Sequence, residues 1–132
     1  MTHVEGGRRP CVLLAEDDRF IRRAAAIALE RQGFTVLLAE NGEAALQQAR
    51  AAIPDVVLLD LIMPKVQGFE VLRQLKQDPA TASVPVIVLS SLGQESDVQR
   101  ALAAGASGYL VKAERYLRQL GHEVDKALSE RA

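Results

Sequence analysis

Val56-Val57-Leu58-Leu59-Asp60-Leu61-Ile62-Met63-Pro64 is the stretch on which the fold turns. Four apolar residues end in a carboxylate, and a proline follows four positions later. An acid there has two uses: capping the next turn, or chemistry at the mouth of a sheet. The apolar run itself does not alternate with polar residues. A strand exposed on one face would alternate, so an unbroken run points to a strand buried on both faces.

The same kind of run recurs. Cys11–Ala15, Phe34–Ala39, Val84–Ser90 and Ser107–Val111 bring the total to five, with Pro85 near the start of the fourth, where a missing N–H is tolerable. The segments between carry helical periodicity. Ile21, Ala24, Ala25, Ala28 and Leu29 mark one face, with Asp18 as a candidate N-cap and Gly33 as the stop. Asn41 caps a second helix with Ala45, Ala49, Ala52 and Ile53 on its buried face, and Pro54 stops it. Met63–Gln67 is a loop. Gly68, Val71, Leu72 and Leu75 predict a third helix, closed by Asp78-Pro79. Val98, Ala101, Leu102 and Gly105 predict a fourth, and Leu117, Leu120, Val124, Ala127 and Leu128 a last one. Strand and helix alternate five times. That order predicts an α/β fold with a five-stranded parallel sheet, doubly wound, with helices on both faces through right-handed crossovers.

Composition narrows the function. A chain of 132 residues, 48% hydrophobic, is long enough for one domain with a sizeable core. Sixteen basic and seventeen acidic residues leave a net charge of −1, which gives no footprint for nucleic acid or for an anionic membrane. Trp is absent and aromatics make up 4%, so stacking platforms for single strands are missing too. No apolar run approaches the ~20 residues of a membrane span. Residues 1–9 are polar, without the apolar core of a secretory signal, and predict a flexible tail before a domain over 10–132; a cytoplasmic protein is expected. Cys11 is the single cysteine, excludes an internal disulfide and is expected to pack as a small hydrophobe. His3 and His122 fit no site.

In parallel α/β sheets, sites lie at the carboxyl ends of the strands. Glu16 and Asp17 follow the first run, Asp60 ends the third, Ser90 and Ser91 close the fourth, and Lys112 closes the fifth. Each has a bland use alone: an acidic helix start, a turn, a solvated lysine. Together they converge on one edge. Three adjacent carboxylates raise one another's pKa, and a hard divalent cation removes that penalty. Mg²⁺ needs only one or two of them plus water and phosphate oxygens. With Lys112 as a cation and Ser90 as a hydroxyl donor, these are the parts of phosphoryl transfer onto a nucleophilic carboxylate.

Four motifs then resemble the receiver domains of two-component response regulators: Leu13-Leu14-Ala15-Glu16-Asp17-Asp18, Leu58-Leu59-Asp60-Leu61-Ile62-Met63-Pro64, Val88-Leu89-Ser90-Ser91 and Gly105-Ala106-Ser107-Gly108-Tyr109-Leu110-Val111-Lys112. The resemblance covers roughly residues 10–130. It implies a flavodoxin-like sheet of order 2-1-3-4-5. It implies Asp60 as phospho-acceptor and Mg²⁺ held by Asp17, Glu16, Asp60 and the backbone carbonyl of Ile62. Ser90 and Tyr109 would be the switch pair and Lys112 the phosphoryl-binding cation. Asp18 either touches the metal shell or caps the helix.

The implied function is a phospho-accepting regulator rather than an enzyme, promoting only its own phosphorylation and dephosphorylation. A sensor histidine kinase would be the donor, and the face of the fourth helix, fifth strand and fifth helix the output. The expected partner is a downstream protein target, with the chain acting alone as a single-domain regulator, monomeric or weakly dimeric. The alternative is a phosphorelay intermediate that passes phosphate to a histidine phosphotransfer protein. A phosphate-ester hydrolase with an Asp nucleophile typically wants a second acid at position 62, which is Ile; a dinucleotide-binding fold wants a Gly-rich turn after the first strand, which is absent.

The chain departs from the family pattern at several places. Ala113 follows Lys112 where the family usually has a cis proline, and a non-proline cis bond is costly. Lys65 and Gln67 stand where Gly and Asp are common. Ser90 replaces the more frequent Thr, keeping the hydroxyl without the β-branch. Ile62 and Leu92 flank the site and cannot orient an attacking water, which predicts a long-lived phosphoryl group.

Overall fold

The five apolar runs form strands and the periodic segments form helices. The computed structural model describes residues 9–61, 67–91, 95–112 and 116–131. The order is β1 (Cys11–Ala15), α1 (Arg19–Arg31), β2 (Thr35–Ala39), α2 (Gly42–Ala52), β3 (Val56–Asp60), α3 (Gly68–Gln77), β4 (Val86–Ser90), α4 (Glu95–Ala103), β5 (Gly108–Val111) and α5 (Tyr116–Arg131). All strands pair in parallel in the order β2-β1-β3-β4-β5. The chain thus starts in the interior of the sheet, steps outward to β2, then crosses to β3 on the other side of β1. That reversal is the switch point at which α/β folds open a crevice. Several sequence expectations fall outside the described residues: the tail apart from Arg9, the Ile62 carbonyl, Lys65, Leu92 and the Lys112–Ala113 bond.

β3 is buried at all five positions because it feeds two cores. Val57 and Leu59 join Leu13, Ala15, Val86 and Val88 in the layer with residues of α2, α3 and α4. Val56 and Leu58 join Val12, Leu14, Ile87 and Leu89 in the layer with residues of α1 and α5. Successive side chains of a strand point to opposite faces, so an uninterrupted apolar run is what a two-sided sheet requires.

The helix starts follow the sequence. Asp18 Oδ1 accepts from the backbone N–H of Phe20 at 2.9 Å and of Ile21 at 3.0 Å, and Asn41 Oδ1 accepts from Ala44 N–H at 2.8 Å. Gly33 ends α1 with φ 97°, a left-handed conformation that suits glycine.

Some boundaries differ. Phe34 is buried but precedes β2, because its N–H still bonds Leu29 C=O at the end of α1. β4 begins after Pro85, whose carbonyl nonetheless accepts from Val57 N–H at 3.0 Å. Ala52 and Ile53, expected on the buried face of α2, are exposed. Pro54 bars the helical region to the residue before it, and Ile53 turns to φ 46° with its side chain outward. Leu102, expected to face the sheet, is 47% exposed; Ala101 and Ala106 fill that position instead. Among the described residues no helix is long and apolar enough to cross a membrane.

Candidate functional site

Register brings the strand ends together. Ala15 is level with Leu59, so Glu16, one residue on, comes level with Asp60. Glu16 N–H bonds Ala39 C=O at 3.0 Å, continuing the ladder past the end of β1. Ser90 is level with Val111, and Lys112 N–H bonds Ser90 C=O at 2.8 Å. Glu16, Asp60 and Ser90 are buried, Asp17 is exposed, and Lys112 lies between.

Carboxylate oxygens of Glu16, Asp17 and Asp60 lie within 4.8 Å of one another. Lys112 Nζ bridges two of them, donating to Glu16 Oε1 and lying 3.0 Å from Asp60 Oδ2. Arg22 fixes the turn beneath: its Nη1 donates to the carbonyls of Glu16 at 2.9 Å and Asp17 at 3.2 Å. Asp18 N–H reaches Glu16 Oε2 at 3.3 Å, while the Asp18 carboxylate is committed to capping α1. The capping role that the sequence allows for Asp18 is formed.

The electrostatics are those of crowded acids. Burial first, then the adjacent Asp60 carboxylate, push Glu16 up to about 7, with Lys112 opposing the shift. Burial pulls Lys112 down, but its hydrogen bonds to Glu16 and Asp60 outweigh that and hold it above its usual value. One lysine does not neutralise three carboxylates. A hard divalent cation with oxygen ligands would relieve the remaining repulsion, and the donor set of Glu16, Asp17 and Asp60 suits one.

Pleat alternation sorts the other residues. Ser90 follows Val88 on the α3/α4 side, where Tyr109 packs half-buried against that core. Asp60 follows Leu58 on the α1/α5 side. Glu16, Asp17, Asp60 and Lys112 therefore form one cluster. Ser90 stands at the neighbouring strand end, level with Val111, and Tyr109 lies two residues before Val111 on the same face of β5. Two residues escaped the sequence reading. Arg22 braces the acidic turn through backbone carbonyls, which no side-chain pattern announces. Tyr116 is 5% exposed in the α1/α5 core, and its hydroxyl has no hydrogen-bond partner among the described residues. Its spacing of four and eight from Leu120 and Val124 would have marked it as buried; its place near the acids needed the fold.

Comparison with known proteins agrees with this geometry. The family model for the response regulator receiver domain matches residues 12–124. Protein PilH of Pseudomonas aeruginosa is 39% identical over 101 residues, covering 76% of this chain and 84% of PilH. A gliding motility regulatory protein of Myxococcus xanthus is 37% identical over 126 residues, 96% of this chain but 16% of that protein. The transcriptional regulatory protein AfsQ1 of Streptomyces coelicolor is 40% identical, and the chain spans 44% of its length. Among solved structures, the Francisella response regulator 1452 receiver domain superposes with a TM-score of 0.86 at 27% identity, covering 94% of this chain and all of that one. Vibrio cholerae CheY4 gives 0.85 at 28% identity over 92% of this chain. Sheet order, acidic cluster and sequence agree, and the chain belongs to the response regulator receiver domain family.

Proposed function

We propose that Asp60 accepts a phosphoryl group from a phosphohistidine on a sensor histidine kinase, and that the change is read on the face of α4, β5 and α5. The observation that carries this is the Lys112 ammonium bridging Glu16 and Asp60 at the carboxyl edge of the sheet, beside a third carboxylate. Asp60 sits at the end of a strand buried throughout, which holds the nucleophile rigidly. A carboxylate oxygen of Asp60 attacks phosphorus, the P–N bond to the donor imidazole breaks, and the imidazole leaves with the bond's electron pair.

Glu16, Asp17 and Asp60 would hold Mg²⁺, with the Ile62 carbonyl as a further ligand. When bound, the cation supplies positive charge to the phosphoryl oxygens and the crowded acids. Lys112 supplies charge from the other side, and Ser90 offers a hydroxyl donor. Once Asp60 carries the phosphoryl group, Lys112 and Ser90 are drawn toward it. Tyr109, on the same sheet face as Ser90, follows into the space vacated. This is a two-state switch biased by local charge, and a downstream protein reads the favoured state.

Incubation with a small phosphodonor and Mg²⁺, followed by phosphate-affinity electrophoresis and intact mass, tests the proposal. The expected result is one added phosphoryl group on wild type and none on Asp60→Ala. Equal modification of both proteins would sink it.

A further inference from the structure

Tyr116 opens α5, and its ring lies in the core with Leu14, Leu58, Leu89 and Leu120. A phenylalanine would fill that space as well. The tyrosine instead buries a hydroxyl that, among the described residues, is the one buried side-chain polar atom with no hydrogen-bond partner. Such a group costs stability in the state where it is unpaired, and its presence is accounted for when another state of the protein uses it.

Its position suggests which state. Along β1, Val12 and Leu14 face this core, and the next residue on that face is Glu16; along β3, Val56 and Leu58 are followed by Asp60. The ring therefore lies on the same side of the sheet as the two acids, inward from them. Burial, and after it the charges of Glu16 and Asp60, raise the phenol well above its ordinary value, so the hydroxyl keeps its proton and can serve as a donor. Glu16 is 1% exposed and depends on Lys112 for its ion pair. In the phosphoryl-transfer scheme, on which this inference rests, Lys112 turns to the group on Asp60. Even with Mg²⁺ held by Glu16, Asp17 and Asp60, the Glu16 oxygen that accepted from Lys112 is then buried without that donor, and such an atom needs another.

We propose that Tyr116 is a positioning residue of this site: its hydroxyl donates a hydrogen bond to Glu16 when Lys112 leaves it for the phosphoryl group on Asp60. The contact would also tie the first turn of α5 to the state of Asp60.

Tyr116→Phe removes the oxygen and keeps the ring. In the free state it is expected to melt at the temperature of wild type or slightly above, because it deletes an unpaired group. Binding of beryllofluoride with Mg²⁺, a mimic of the phosphoryl group, is expected to weaken about 10-fold. In wild type labelled with carbon-13 at the tyrosine ζ position, the Tyr116 resonance, assigned from its loss in the variant, is expected to shift when beryllofluoride binds. A purely structural tyrosine would lower the melting temperature and leave that resonance in place. Wild type and variant binding the mimic within twofold of each other, with the resonance unmoved, overturns the inference alone. A wild type that neither binds the mimic nor takes up a phosphoryl group overturns the phosphoryl-transfer scheme and this inference with it.

Discussion

At the scale of single residues, Glu16 bears the conflict in the site. Its ordinary pKa is 4.5, and burial beside Asp60 raises it to about 7 in the folded chain without metal. The folded state therefore binds this proton more tightly than the unfolded state does. The stabilisation is complete below the unfolded value and is lost as pH rises through about 7. Thermal unfolding of magnesium-free protein is expected to show Tm falling from about pH 5 to about pH 8, with a flatter profile for Glu16→Gln. A wild-type profile that rises across that window contradicts the assignment. Lys112 carries the complementary prediction. Lys112→Ala removes the cation nearest Asp60, and phosphorylation by a small donor is expected to slow by about 10²- to 10³-fold. A rate within threefold of wild type would place the phosphoryl group's partner elsewhere. Asp60, Glu16, Asp17 and Lys112 were legible in the sequence because each ends or follows an apolar run. Register then brings such ends together whatever the details of packing. Tyr116 was not legible as a site residue, since its nearness to the acids depends on how α5 docks.

At the scale of elements, Gly68, the first residue of α3, packs tightly against the backbone at the end of β3. A Cβ there would lie 2.5 Å from Leu61 Cα and 2.6 Å from the Asp60 carbonyl oxygen. Both neighbours are backbone, so no side chain can yield. Gly68 N–H also bonds Leu61 C=O at 3.0 Å, which pins α3 to the residue after Asp60. Gly68→Ala is expected to push α3 away from that strand end, destabilising the fold by about 1–3 kcal/mol and slowing phosphorylation. Urea unfolding beside the electrophoretic assay checks both, and unchanged stability would mean the close approach is relieved without strain. The sequence marked Gly68 only as a helix residue, since a glycine's neighbours are invisible from its own position. Periodicity found all five helices and misjudged single positions. Ile53 failed because Pro54 forbids its helical conformation, and Leu102 because Ala106, beyond the turn, takes its place on the sheet.

At the scale of the whole molecule, the two cores are unequally shared among the helices, and the difference falls where the switch is proposed. α3 buries Gly68, Val71, Leu72 and Leu75, and α2 buries Gly42, Ala45, Leu46 and Ala49. α4 buries Ala101. The Arg100 guanidinium also stacks over the Phe69 ring, 3.8 Å from the centroid, and so reaches back to the start of α3. Unbroken apolar runs separated by helical segments made the layer order legible, but not this inequality, because the pattern of α4 in the sequence looks as amphipathic as the rest. An element with little apolar burial opens at small free-energy cost, and switching elements are drawn from that end of the range. Amides of α4 are therefore expected to exchange with deuterium faster than those of α2 and α3 in the unphosphorylated protein. Arg100→Ala should speed α4 further while leaving α2 unchanged. Phosphorylation of Asp60, or beryllofluoride in its place, should alter exchange in α4 and β5 while the β1 and β3 strands stay protected. Protection of α4 equal to that of α3, unmoved by beryllofluoride, would show that the weakly buried helix is not the element that the site controls.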